Sequence, residues 1–288
     1  MKIVKASDEG GVWSSSAIFR REVDILRSLN HENIVCFVDA CRDSRFLYIV
    51  TEKCSGGEVF ERLLLEKRLR ESDVAAICVQ VLQAVDYVHS QGIVHRDIKA
   101  ENFLFAHDGT VKLIDFGLSA RLRVDSPYLT SVVGSAHYLA PEMIRQRYSK
   151  PVDIWSVGIM VYLLLFGRYP FDGSDDATIM KRIKRQPVDM TNDYLSTDAV
   201  EFLSILLEKD FAKRPTAAKA LRHRFLQPAD DSTQADEPTE AVEADLPQDL
   251  LERVREKLEE SKLSRMASVE TGTPVKDRQY MCDSPILA

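Results

Sequence analysis

The run His95-Arg96-Asp97-Ile98-Lys99-Ala100-Glu101-Asn102, followed by Asp115-Phe116-Gly117 and then by Ala140-Pro141-Glu142, concentrates the side chains of this sequence that could do chemistry. Asp97 offers a carboxylate able to take a proton from a hydroxyl. Asn102 and Asp115 are hard oxygen ligands, the donor type that suits Mg²⁺. Lys99, two residues after Asp97, supplies a point charge on a flexible stem. Read blandly, Asp97 is a solvated turn residue, Asp115 an acid at a strand end and Pro141 punctuation. That reading must explain three coincidences at once.

In that order and at those intervals, the three segments resemble the catalytic loop, the metal-binding loop and the substrate-loop anchor of a protein kinase. The resemblance implies phosphoryl transfer through a loose transition state, in which the protein mainly positions groups and neutralises charge. Asp97 would orient a substrate hydroxyl in line with the γ-phosphate of ATP. Lys99 would reach the transferring phosphate, and Asn102 and Asp115 would hold Mg²⁺. Lys99 resembles the serine/threonine class, since tyrosine kinases carry an Ala-Ala-Arg type segment there. Ala100 stands where Pro is usual.

The match extends upstream. Met1-Lys2-Ile3-Val4 resembles the end of the family's Val-Ala-Ile-Lys strand, which makes Lys2 the candidate for holding the α- and β-phosphates. Arg20-Arg21-Glu22-Val23-Asp24-Ile25-Leu26 reads as a helix whose Glu22 would pair with Lys2. A single Lys near an N-terminus is usually a surface residue; the alignment with Glu22 argues otherwise. The family's Gly-rich phosphate-covering loop would precede Lys2, and Gly10-Gly11 lies after it, in a variable connection. The expectation is a truncated N-lobe, from a short isoform or a start codon assigned inside a longer reading frame.

Between the motifs, Glu52-Lys53-Cys54 resembles the hinge whose backbone bonds adenine, with Thr51 as a small gatekeeper. Ser55-Gly56-Gly57-Glu58-Val59-Phe60 resembles the Gly-Gly-Glu-Leu-Phe run of kinases that read calmodulin or calcium signals, which implies that Glu58 contacts ribose and a substrate Arg. Its bland reading is a helix-start acid stabilised by the dipole. Glu101 is a second acid for basic substrates. Gly134-Ser135-Ala136-His137-Tyr138-Leu139-Ala140-Pro141-Glu142 resembles the corresponding run of calcium-dependent protein kinases; Ser135 keeps the hydroxyl expected to bond Asp97 and Lys99, and His137 replaces an aromatic. Glu142 should pair with Arg214, and Asp153 should tie down the His95-Arg96-Asp97 turn. Thr130 and Ser131 are candidate phosphosites whose phosphate Arg96 could pair.

Elements must hold these residues in place. Apolar positions recur at helical spacing over 74–90, at Ile77, Val81, Leu82, Val85 and Val88, and residues 152–165 and 198–207 read likewise. Strand-like runs occur at Ile34-Val35 and Phe46-Leu47-Tyr48-Ile49-Val50. The fold expected is α+β and bilobal: a β-rich partial N-lobe with hinge over 1–54 and a mostly helical C-lobe over 55–227. The chain of 288 residues is 45% hydrophobic and 29% charged, enough for a large core. It has no charged-then-apolar leader and no apolar run long enough to span a bilayer. The most apolar stretch, 154–166, reads as a buried helix.

Residues 228–247 hold seven acids and no Lys or Arg, and account for the whole formal charge of −7. Such a segment reads as a disordered linker. An amphipathic helix over 248–268 follows, with Leu250, Leu251, Val254, Leu258 and Leu263 apolar, and then a disordered tail over 269–288. Ser261-Lys262-Leu263-Ser264-Arg265-Met266-Ala267-Ser268 resembles the junction helix of calcium-dependent protein kinases, which implies a calcium-sensor partner; no Asp-rich twelve-residue calcium loop occurs. Arg265 stands three residues before Ser268, a third candidate phosphosite. Five cysteines, Cys36, Cys41, Cys54, Cys78 and Cys282, are odd in number and read as reduced thiols of the cytosol or nucleus. The histidines show no metal-like pairing, no basic stripe suggests nucleic acid, and no Arg-rich amphipathic face suggests a membrane. The expected activity is serine/threonine phosphorylation with ATP and Mg²⁺ at basic Arg-x-x-Ser/Thr sites. The alternative is a pseudokinase or scaffold fragment impaired by the missing Gly-rich loop.

Overall fold

In the computed structural model the described residues are 1–5, 15–43, 46–59, 61, 69–192, 194–227 and 279–280. The small lobe is a sheet backed by one helix. Strands β1 (Lys2–Lys5), β2 (Phe37–Arg42) and β3 (Phe46–Thr51) are antiparallel with β3 in the centre, and its Leu47, Tyr48 and Ile49 are buried. Helix α1 (Ser15–Arg27) turns Phe19, Val23 and Leu26 inward at i, i+4 and i+7 spacing, while Arg20, Asp24 and Arg27 stay in water. Ile34 and Val35, read as a strand start, form only a bridge from Ile34 to Leu113; the strand begins two residues later at Phe37.

The large lobe is mostly helical. Helix α2 (Glu71–Ser90) buries Val74, Ile77, Cys78, Val81, Leu82, Val85 and Val88, with Glu71 and Asp73 in its first turn complementing the dipole. The turn at Gly92 leads to β4 (Ile93–Val94), which pairs with β7 (Ala120–Arg121). Between them lies the hairpin of β5 (Phe103–Phe105) and β6 (Val111–Leu113). After the short α3 (Pro141–Ile144), α4 (Pro151–Phe166) is apolar on every side and buried from Val152 to Leu165. Pro151 opens it, and Gly167, at φ 65°, closes it in the left-handed conformation. Helices α2 and α6 (Thr197–Leu206) pack on α4; α5 (Asp176–Arg185) lies against the turn at Ala136–Tyr138, and α7 (Ala217–Ala220) against α2. No helix among the described residues is long and apolar enough to cross a membrane.

The linker over 228–247 and the helix over 248–268, with Ser268, lie outside the described residues. The tail expected to be disordered over 269–288 departs from that expectation at two residues: β8 (Gln279–Tyr280) pairs with the outer edge of β2. A two-residue strand exists only because a sheet edge templates it, and no local pattern announces that edge.

Candidate active site

The β5–β6 hairpin builds the centre of the site. Its register sets Phe103 opposite Leu113, and the Ile114 N–H donates to the Asn102 carbonyl at 3.0 Å. Asn102 and Asp115, thirteen positions apart in sequence, therefore flank the open end of one hairpin. Asn102 donates its amide to the Asp97 carbonyl at 2.8 Å and to Asp97 Oδ2 at 3.0 Å, which leaves its own Oδ1 unengaged. Lys99 Nζ lies 3.0 Å from the same Asp97 Oδ2 and donates to Ser135 Oγ at 3.2 Å. The expected Ser135 contact with Asp97 is thus indirect, through Lys99, whose longer side chain reaches both.

Lys2 closes the opposite wall. Its Nζ lies 2.8 and 2.9 Å from the two Glu22 oxygens and 2.9 Å from Asp115 Oδ1. Asp115 Oδ1 also accepts from the Gly117 N–H, so Oδ2 remains free. Burial opposes ionisation of Asp115, but Lys2 and the Gly117 N–H outweigh it and hold the carboxyl below its ordinary value. Burial likewise pulls Lys2 toward the neutral form, and Asp115 with Glu22 overcomes it, raising the ammonium's pKa. Glu22 is raised, because its burial exceeds what Lys2 restores.

The His95-Arg96-Asp97 turn hangs from α4. Asp153, fully buried, accepts from the backbone N–H groups of His95 and Arg96 at 2.8 Å each and meets His89 Nε2 at 2.8 Å. Arg96 holds a left-handed φ of 71°, and Gly134, at φ 100°, lies so close that a Cβ there would sit 2.7 Å from the Arg96 carbonyl oxygen. Phe116 packs edge-on against His95 at 4.9 Å and is fully buried. Burial holds His95 below the ordinary histidine range. Glu142 and Arg214 form a buried pair at 2.6 and 3.2 Å.

These walls enclose a cleft of about 790 Å³, lined by Lys2, Glu22, Thr51, Glu52, Cys54, Lys99, Glu101, Asn102, Asp115 and Ser135 among others. Asp97 sits behind Lys99 and Asn102, its side chain 14% exposed. The Glu52 carboxylate accepts from the Cys36 N–H at 2.7 Å and pairs with Lys112 at 3.0 Å. Glu58 departs from its expected place. It is 4% exposed and absent from the cleft lining, and an antiparallel bridge to Leu104 sets this segment alongside β5. Among the described residues no group of three His, Cys, Asp or Glu can hold a metal. One carboxylate oxygen and one amide oxygen suit Mg²⁺, which keeps waters and takes phosphate oxygens as its remaining ligands.

A second cleft, of about 670 Å³, gathers residues that sequence reasoning left aside: Arg20, Arg21 and Arg121, together with Arg96 and Ser131. Arg96 Nη1 donates to the Tyr148 hydroxyl at 3.2 Å, and that hydroxyl donates to the Ser131 carbonyl at 2.6 Å. Thr130 is exposed. The adjacent Arg20-Arg21 pair was the sole local signal; Arg121 is brought in only by the β4–β7 pairing.

Residues 1–226 match the family described as the protein kinase domain. The chain belongs to the protein kinase family, in the serine/threonine group that holds the CDPK-related kinases. CDPK-related kinase 3 of Arabidopsis thaliana is 43% identical over 221 residues, covering 74% of this chain and 37% of that protein. The CDPK-related protein kinase of Daucus carota is 41% identical over 220 residues, covering 74% and 36%. Calcium/calmodulin-dependent serine/threonine-protein kinase 1 of Oryza sativa subsp. japonica is 41% identical over 216 residues, covering 72% and 36%. The chain thus spans little over a third of the length of these curated relatives.

Proposed function

We propose that this chain is the catalytic unit of a serine/threonine protein kinase, carrying the γ-phosphate of ATP to Ser or Thr hydroxyls of proteins, with a preference for basic residues ahead of the acceptor. The observation that carries the reading is the meeting of Lys2, Glu22 and Asp115 at 2.8 to 2.9 Å in a cleft shared with Lys99 and Asn102. The Glu52 carbonyl and the Cys54 amide make no hydrogen bond among the described residues, which leaves them for the edge of adenine. Thr51 beside them leaves room behind the purine. Lys2, kept charged by its two acids, binds the α- and β-phosphates. The Asn102 amide oxygen and Asp115 Oδ2 would hold Mg²⁺, whose charge, when bound, offsets that of the phosphates.

Asp97 Oδ1, the oxygen that Lys99 and Asn102 leave open, orients the acceptor hydroxyl and takes its proton. The hydroxyl oxygen bonds to the γ-phosphorus, the bond from that phosphorus to the bridging oxygen breaks, and ADP leaves. Lys99 stabilises charge on the transferring group. Glu101, an acid in the cleft lining, supports the preference for basic substrates. A phosphate on Ser131 would face Arg96 and Arg121, ordering the segment before Ala140-Pro141-Glu142 through charge-assisted bonds. The unbridged thiols of Cys36, Cys54 and Cys78 support a reducing compartment, cytosol or nucleus. A calcium-sensor partner at 248–268 and modification of Ser268 rest on the sequence motif alone.

The test is phosphate transfer from labelled ATP to an Arg-x-x-Ser peptide and to its Ala-x-x-Ser counterpart. Transfer to both, with higher kcat/KM for the first, is expected. Binding of MgATP with no transfer to any Ser or Thr peptide would overturn the kinase reading, and equal rates would remove the basic preference.

A further inference from the structure

Tyr148 bonds the segment between Gly117 and Ala140 from both its backbone and its side chain. The Leu129 N–H donates to the Tyr148 carbonyl at 2.8 Å and the Tyr148 N–H to the Leu129 carbonyl at 3.1 Å, an isolated antiparallel bridge. One such rung is weak by itself. The Tyr148 hydroxyl adds a second link, donating to the Ser131 carbonyl at 2.6 Å and accepting from Arg96 Nη1 at 3.2 Å. Beside the same rung, the Arg147 guanidinium lies 4.0 Å from the centre of the Tyr128 ring.

Arg96 is itself fixed through Nε to the Leu118 carbonyl, and it adjoins Asp97. The hydroxyl therefore ties the Asp97 turn to Ser131, four residues ahead of Ser135, where Lys99 makes another tie.

We infer that Tyr148 is a positioning residue for phosphate transfer: its hydroxyl holds the segment that carries Ser131 and Ser135 in register with Asp97 before any phosphate is added to Ser131. This rests on the kinase reading above. A phenol donates to a carbonyl and accepts from a guanidinium at once, whereas a phosphate dianion offers acceptor oxygens only. A phosphate on Ser131 would add to this link without replacing its bond to the carbonyl. Tyr148 is 1% exposed and Arg96 6%, so both bonds are made away from water, where a lost partner costs most. Phe at position 148 would fill the same space and remove the hydroxyl from both neighbours.

The test compares the phosphatase-treated protein with its Tyr148→Phe variant. The KM for an acceptor peptide is expected to rise about tenfold, with kcat falling less and calorimetric MgATP affinity changed by no more than about twofold, since Tyr148 does not line the nucleotide cleft. Amide exchange reads the link without any transfer: the amides of 129–135 are expected to exchange about tenfold faster in the variant, with those of α4 unchanged. Equal exchange over 129–135 would overturn the proposal. A matching rise in α4 would do the same, because it marks a general loss of stability. An unchanged peptide KM, or an unaltered protein that transfers only after a lag tracking Ser131 phosphorylation, would also overturn it. Absence of transfer to every Ser or Thr peptide, with the exchange difference present, would strike the kinase reading and leave the link standing.

Discussion

Asp97 and Asp115 are both carboxylates near one cleft, yet their hydrogen bonds divide their work. Asp115 faces Lys2 and Asp97 is held by Lys99 and Asn102, each with one oxygen left open; in the proposed reaction the first oxygen takes a cation and the second a hydroxyl. Asp97→Asn is therefore expected to lower kcat by about 10²–10⁴ while leaving MgATP affinity nearly unchanged. Asp115→Asn should weaken MgATP binding, read by calorimetry in the presence and absence of Mg²⁺. Equal loss of MgATP affinity in the two variants would contradict this division. Gly134 tests positioning of the turn, where an added Cβ would also lie 3.6 Å from Asp97 Oδ1. Its φ of 100° and its approach to the Arg96 carbonyl make Gly134→Ala displace the Asp97 turn, with kcat expected to fall about ten- to a hundredfold. A variant with full turnover would show that the turn tolerates the methyl group. The types and spacing of these residues were legible in the sequence. Which oxygen of Asp115 stays free was not, since Lys2, 113 positions away, engages the other.

The elements that carry the site are anchored by two buried acids. Arg214 bonds both oxygens of Glu142, donates to the Pro151 and Glu208 carbonyls, and stacks over Trp155 at 5.2 Å. Arg214→Ala leaves a buried carboxylate without its partner and should destabilise the fold by about 3–5 kcal/mol in urea titrations. Arg214→Lys should recover little, because a point charge cannot reproduce the fork. Asp153 joins α4 to α2 and to the catalytic turn. Removing it as Asp153→Ala orphans the His95 and Arg96 amides, each worth about 1–3 kcal/mol when buried without a partner. The expected readout is a loss of both melting temperature and kcat, with Asp153→Asn intermediate. Helical spacing over 74–90, 152–165 and 198–207 placed α2, α4 and α6 to within three residues at either end. The hairpin strands β5 and β6 escaped notice, since each has only three residues and pairing alone defines them.

For the whole molecule, buried titrating groups set the response to pH. Asp115 and Asp153 are held below their ordinary values, so their contribution is complete above about pH 4 and is lost as pH falls through the folded values. His95 is depressed by burial, so the unfolded chain binds a proton first as pH drops below about 6.5, and stability falls there as well. His31 adds in the same sense, while Glu22, raised by burial, works in the opposite one. Melting temperature should decline from pH 7 to 5 and fall more steeply below 4, with His95→Gln flattening the upper limb. A melting temperature that rises on acidification from pH 7 to 5 would refute the assignment to His95. The sequence by itself determined the family, the mostly helical large lobe and the residue types of the cleft, because side-chain chemistry and helical periodicity are local properties of the chain. Only the tertiary structure decided that Glu58 is buried alongside β5, that Arg20, Arg21 and Arg121 line one cleft with Arg96 and Ser131, and that Gln279 and Tyr280 pair with the edge of β2. Each of these depends on backbone pairing between distant segments, and a pairing partner leaves no mark on the residues nearby.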